Sequence, residues 1–167
     1  KVVIGFVGLS SVACAMLFLG YSRIRLPFNW FSVSQALGTA VAVASIEELF
    51  FRGGLYGVMR RHLKWSSALS VSSVVFAALH FLKPHHSLKQ FSQEVTWFSG
   101  FEVVPKLFWQ YSQPLLVIGG FSTLVMVGWI LGYVTEKTKS LWMAVGLHGG
   151  WVFAMRLFEI NSQRTGF

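Results

Sequence analysis

The sequence predicts an all-α fold, a polytopic transmembrane helical bundle of about five spans with one interfacial or re-entrant segment. Three observations carry that expectation. Hydrophobic residues make up 54% of the 167 residues and charged ones 12%, with a mean hydropathy of +0.58, far from the balance of a soluble domain. The apolar residues fall into runs of about 20, the length that crosses a bilayer. The fourteen Lys and Arg behind the net charge of +8 mostly punctuate the ends of those runs and do not line one surface. They therefore read as topology signals and lipid-headgroup contacts, and nucleic acid is not an expected partner.

Val2 to Gly20 is the first span, closed by Tyr21, Arg23, Arg25 and Pro27, so that residues 1–30 form an N-terminal transmembrane helix and link. That run is long for a signal-peptide core, lacks a small-x-small cleavage site and follows Lys1 without a methionine, so upstream helices are expected to be missing. Asn29-Trp30 opens the second segment, helix-compatible to Val58 and ended by Arg60, Arg61, His62 and Lys64. Trp65 to Leu82 is the third span, rich in small residues from Ser66 to Ser73. Residues 83–112 mix His85, His86, Glu94, Glu102 and Pro105 with aromatics, as suits an interfacial or re-entrant link. Pro114 to Val134 is the fourth span, Glu136-Lys137-Thr138-Lys139 a polar turn, Leu141 to Phe158 the fifth, and 161–167 a tail. Gly53-x-x-x-Gly57, Gly128-x-x-x-Gly132 and Gly146-x-x-x-Gly150 each offer a small-residue face for close helix packing. If all five segments span, six basic residues fall on each side; those at Lys1, Arg60, Arg61, Lys64, Lys137 and Lys139 sit in the shorter loops, which favours that side as cytoplasmic.

Against this apolar background Glu47-Glu48-Leu49-Phe50-Phe51-Arg52 stands out. An ionised side chain near the bilayer centre costs about 2.5–3.5 kcal/mol even on lenient scales, so such a cluster is a functional site by default. Glu47 and Glu48 lie about 100° apart on a helix, whereas Glu48 and Arg52 share a face. The second pair is expected to fix the helix and leave Glu47 to a pocket. Two further ionisable groups lie inside apolar segments, His80 and His148. Counting about 1.5 Å per residue from the membrane face at Arg60 places Glu47, His80 and His148 roughly 17, 22 and 10 Å deep, close enough to meet around one watered pocket. A carboxylate in a low-dielectric pocket can take a proton from water and return it, an imidazole can share the task, and a second imidazole can stabilise an oxyanion. Hydrolysis of an amide fits these groups. Gly-x-Ser-x-Gly is absent, and Cys14, the lone cysteine, has no motif around it and excludes an intramolecular disulfide. His-Glu-x-x-His is absent too; two His and two Glu could in principle hold zinc, but no motif supports it, and no cofactor is expected.

Glu-Glu-x-x-x-Arg on one helix, Phe-x-x-x-His ending at His80 on the next and His148 early in the last span resemble, in type and order, the motif series of the CPBP family. That family, also called Abi, groups type II CAAX prenyl proteases with bacteriocin-processing enzymes, and the similarity runs from about Ala36 to Phe153, inside a catalytic bundle read as 31–160. The resemblance implies a glutamate-dependent intramembrane endopeptidase; that it is metal-independent is an expectation from the absence of a supporting metal motif. In it Glu47 and His80 position and activate water, His148 contributes to the oxyanion site, and Glu48 and Arg52 support them. It also implies a membrane-associated protein or peptide as substrate, and the bacterial inner (plasma) membrane as location. Where many members read His-x-x-x-Asn, this chain has Val152, whose side chain donates no hydrogen bond; Trp151 offers an indole N–H next to it. Val152 keeps open a non-enzymatic reading, a membrane scaffold or immunity protein. A proton-coupled transporter is a third reading, set against by the short chain without a repeat.

Overall fold

The computed structural model describes residues 22–24, 29–82, 101, 104, 105 and 107–164. The expected first span and most of the 83–112 link lie outside them. Among the described residues the chain is helical apart from one short antiparallel pair, β1 (Ser22–Ile24) with β2 (Ser162–Arg164), in the register Ser22 to Arg164. It divides into two compact units, Lys1–Gly57 with Val134–Phe167, and Val58–Tyr133.

In the first unit, α1 (Trp30–Glu48) starts at Asn29, whose Oδ1 accepts the N–H groups of Phe31 and Ser32 at 3.1 and 3.3 Å, the N-cap role of a short polar side chain. It runs without interruption into a π-helical stretch, Leu49–Tyr56, and a closing turn Gly57–Met59. Ala36, Ala40, Ala44, Glu48, Arg52 and Tyr56 are all buried, one row at every fourth residue. In a regular α-helix such a row swings about 40° per step around the axis. The wider π turns carry more residues each and swing it back, which keeps Glu48, Arg52 and Tyr56 turned inward together.

The partner of this face is α4 (Leu141–Asn161), which runs antiparallel: Gly149 lies against Ala40 and Ala44, and Leu141 against Gly53. A methyl group built on Gly149 would stand 3.6 Å from the Ala40 carbonyl oxygen and from the Ala44 Cβ, so small side chains on both helices set the approach. Gly53 meets only the Leu141 side chain, at 3.8 Å, and Gly57 only its own helix, so the expected Gly53-x-x-x-Gly57 packing face is not a tight one.

In the second unit, α2 (Trp65–Phe81) packs on the helix α3 (Pro114–Thr138). A Cβ on Gly128 would stand 3.1 Å from the Ser73 Cα, and one on Gly132 would run into the Leu69 side chain, so this small-residue face does bring backbones together. The α2 serines bond within their own helix, Ser73 Oγ donating to the Leu69 carbonyl at 2.7 Å and Ser70 Oγ to Ser66 at 3.0 Å. At the end of the link Tyr111 donates to the Ala78 carbonyl at 2.9 Å and stacks edge-on with Phe81.

Two boundaries differ from expectation. Glu136, Lys137 and Thr138 belong to α3, not to a turn. The helix is extended by the Lys139 N–H to the Thr135 carbonyl at 2.9 Å and by the Glu136–Lys139 ion pair at 2.7 Å, and it stops where Lys139 turns left-handed at φ 53°. Likewise α4 continues to Asn161, whose amide bonds back to the Leu157 carbonyl at 2.9 Å. Among the described residues α3 and α4 are long and apolar enough to cross a membrane, two of the expected spans. The 17 residues of α2 reach only about 25 Å, short of the roughly 30 Å hydrocarbon core.

Candidate active site

The site grows out of the α1 row. Ala40 and Ala44 admit Gly149 of α4, and the residue before that glycine is His148; one turn beyond Ala44 is Glu48. The close approach of the two helices therefore delivers an imidazole to a carboxylate. His148 Nδ1 lies 2.7 Å from Glu48 Oε1, and Nε2 lies 3.6 Å from Glu47 Oε2. The same Glu48 oxygen accepts from Arg52 Nη1 at 2.9 Å, one turn along the helix. The guanidinium in turn stands 5.9 Å from the ring centre of the buried Phe51, which covers it.

The two carboxylates differ in environment, as their 100° separation demands. Glu48 is 0% exposed, and its other oxygen, Oε2, is buried without a hydrogen-bond partner among the described residues, whereas the Glu47 side chain keeps 24% of its surface open. A carboxylate that solvent reaches, beside an imidazole that solvent barely reaches, is an arrangement able to hold and activate a water molecule.

His80 lies in the other unit. Its Nδ1 is 2.9 Å from the Phe76 carbonyl and its ring is 4.1 Å from the Phe76 ring. Because a carbonyl oxygen only accepts, Nδ1 carries the proton and Nε2 is the nitrogen able to accept. The four-residue spacing of Phe-x-x-x-His is thus one helical turn in which the phenylalanine both orients the histidine and stacks on it.

Of the five residues singled out in the sequence, Glu47, Glu48, Arg52 and His148 are brought together in one unit. The expected Glu48–Arg52 pair forms, but Glu48 has a second bond, to His148, that the sequence reading did not assign. A hundred residues separate the two, and no local pattern signals their pairing. Val152 stands one turn after His148 on α4, half-buried, and supplies no donor there. Among the described residues no group of three His, Cys, Asp or Glu side chains is gathered as a metal-binding set.

Comparison with known families identifies the chain's kin. The model of a family described as type II CAAX prenyl endopeptidase Rce1-like matches residues 28–154, a stretch that holds Glu47, Glu48, Arg52, His80 and His148. No curated protein and no solved structure matches the chain.

Proposed function

The chain belongs to the type II CAAX prenyl endopeptidase Rce1-like family, membrane-embedded proteases, and on that premise we propose that it hydrolyses a peptide bond of a membrane-associated protein or peptide with water activated by Glu47. The observation that carries the reading is the imidazole of His148 held between two carboxylates, 2.7 Å from Glu48 and 3.6 Å from Glu47. Glu47 takes a proton as the water oxygen bonds to the scissile carbonyl carbon, and the carbonyl electrons move onto oxygen. His148, as the imidazolium with its Nδ1–H held by Glu48, donates its Nε2–H to that oxyanion. When the intermediate collapses the C–N bond breaks, and the proton held by Glu47 leaves with the amine. His80 shares in water activation, a role that rests on its place in the family motif. We further propose about five spans, residence in a bacterial plasma membrane and catalysis without a resident metal; cleavage that survives a chelator supports the last, and loss restored by zinc refutes it.

Val152, in place of an amide donor, favours a second reading, a family member without catalysis that binds a partner as a scaffold or immunity protein. One comparison separates the two: newly formed peptide termini in membranes of the native host carrying the wild-type protein or Glu47→Gln at equal level. Termini lost in the variant establish proteolysis and name the substrate. Unchanged termini with an unchanged host phenotype leave the scaffold.

A further inference from the structure

The Glu48–His148 bond gives the second glutamate of the pair a task that an ion pair with Arg52 does not explain. A carboxylate built only to neutralise a guanidinium does best with both oxygens engaged, since each buried oxygen left without a partner carries a desolvation cost. Here both donors converge on one oxygen, Arg52 Nη1 at 2.9 Å and His148 Nδ1 at 2.7 Å, while Oε2 is buried without a hydrogen-bond partner among the described residues. The geometry favours the histidine contact over complete satisfaction of the carboxylate.

We propose that Glu48, held by Arg52, is the positioning residue of His148: Oε1 accepts the Nδ1–H hydrogen bond and keeps the neutral imidazole in the tautomer with the proton on Nδ1 and Nε2 turned to Glu47. An oxygen already accepting from a guanidinium is the one suited to accept a second N–H, and which ring nitrogen of a histidine works is set by the bond made by the other. The two adjacent glutamates thus divide the work through the helix geometry. Glu47 faces the reacting water, and Glu48, a hundred degrees round the axis, aims the imidazole. The chain Arg52–Glu48–His148 lies entirely within one unit, where Ala40, Ala44 and Gly149 line the contact between α1 and α4.

The assignment rests on the proteolytic reading for its purpose but not for its test. Nitrogen-15 spectra of the full chain in lipid nanodiscs, with His148 identified by the signal lost in His148→Gln, report the tautomer of the neutral ring directly. The wild-type protein is expected to carry the proton on Nδ1 by tenfold or more over Nε2. In Glu48→Ala the preference is expected to collapse, with both tautomers populated. A wild-type ring protonated on Nε2 overturns the proposal, as does an unchanged preference in folded Glu48→Ala. If that variant does not fold, the wild-type tautomer decides alone. Loss of the proteolytic reading by the termini comparison leaves this measurement untouched.

Discussion

The phenol of Tyr56 donates to Glu136 Oε2 at 2.7 Å, joining the end of the π-helical stretch to the last turn of α3 across eighty residues of sequence. Glu136 spends its other oxygen on Lys139 at 2.7 Å, so one carboxylate serves both a buried hydroxyl and the helix end. A hydrogen bond to a charged acceptor contributes about 1.5–3 kcal/mol, and Tyr56→Phe is expected to lose about that much with no change of shape. Denaturant titration in mild detergent reads it. A loss below half a kcal/mol assigns the bond no weight.

The buried pair Glu48–Arg52 yields an asymmetric expectation. Removing one partner leaves a charge stranded in the interior, at a cost of about 3–5 kcal/mol, whereas replacing both with apolar side chains is often neutral. Arg52→Leu alone is therefore expected to reduce the folded fraction sharply, and Glu48→Leu with Arg52→Leu to recover most of it. Residual cleavage should stay absent in the recovered protein, because His148 has lost its acceptor. Additive losses in the double variant contradict this account.

Glycine substitutions separate the two helix pairs. A Cβ at Gly149 finds neighbours at 3.6 Å, ordinary contact, so Gly149→Ala gains helix propensity of up to about 1 kcal/mol and is expected to be neutral or stabilising. At Gly128 it meets the Ser73 backbone at 3.1 Å, where no side chain can turn aside, and Gly128→Ala is expected to cost about 1–3 kcal/mol through overpacking. Thermal melts of the two variants side by side test the contrast; equal melting temperatures defeat it.

Much of this arrangement was legible because it is local. Asn29 before an apolar run announces an N-cap, four-residue spacing announces the Glu48–Arg52 pair, and small residues at Gly128 and Gly132 announce a close helix contact. Glu136 to Thr138 were misplaced because polar composition resembles a turn, while their backbone follows α3 and the Lys139 side chain bonds back to Glu136. The His148 bond to Glu48 was invisible for a different reason. It depends on how α1 and α4 register against each other, and that register is set by Ala40, Ala44 and Gly149, residues too common to point at a partner. The π-helical turns that keep Glu48, Arg52 and Tyr56 on one side likewise have no sequence signature.

Val152 offers the sharpest test of whether this chain is a working protease. It lies on α4 one turn after His148, the position where an amide side chain would add a second donor to the oxyanion site proposed for His148. Preorganised donors of this kind are worth about a hundredfold to a thousandfold in rate when removed, so supplying one should recover part of that range. Val152→Asn is therefore expected to raise cleavage at the termini that depend on Glu47 by about tenfold or more, at a modest cost in stability for placing an amide in a half-buried site. The gain should vanish when Glu47→Gln is added. An unchanged rate would mean that another group already fills the role, with the Trp151 indole the first to substitute; new termini appearing only in Val152→Asn would show that this valine is what holds the native chain inactive.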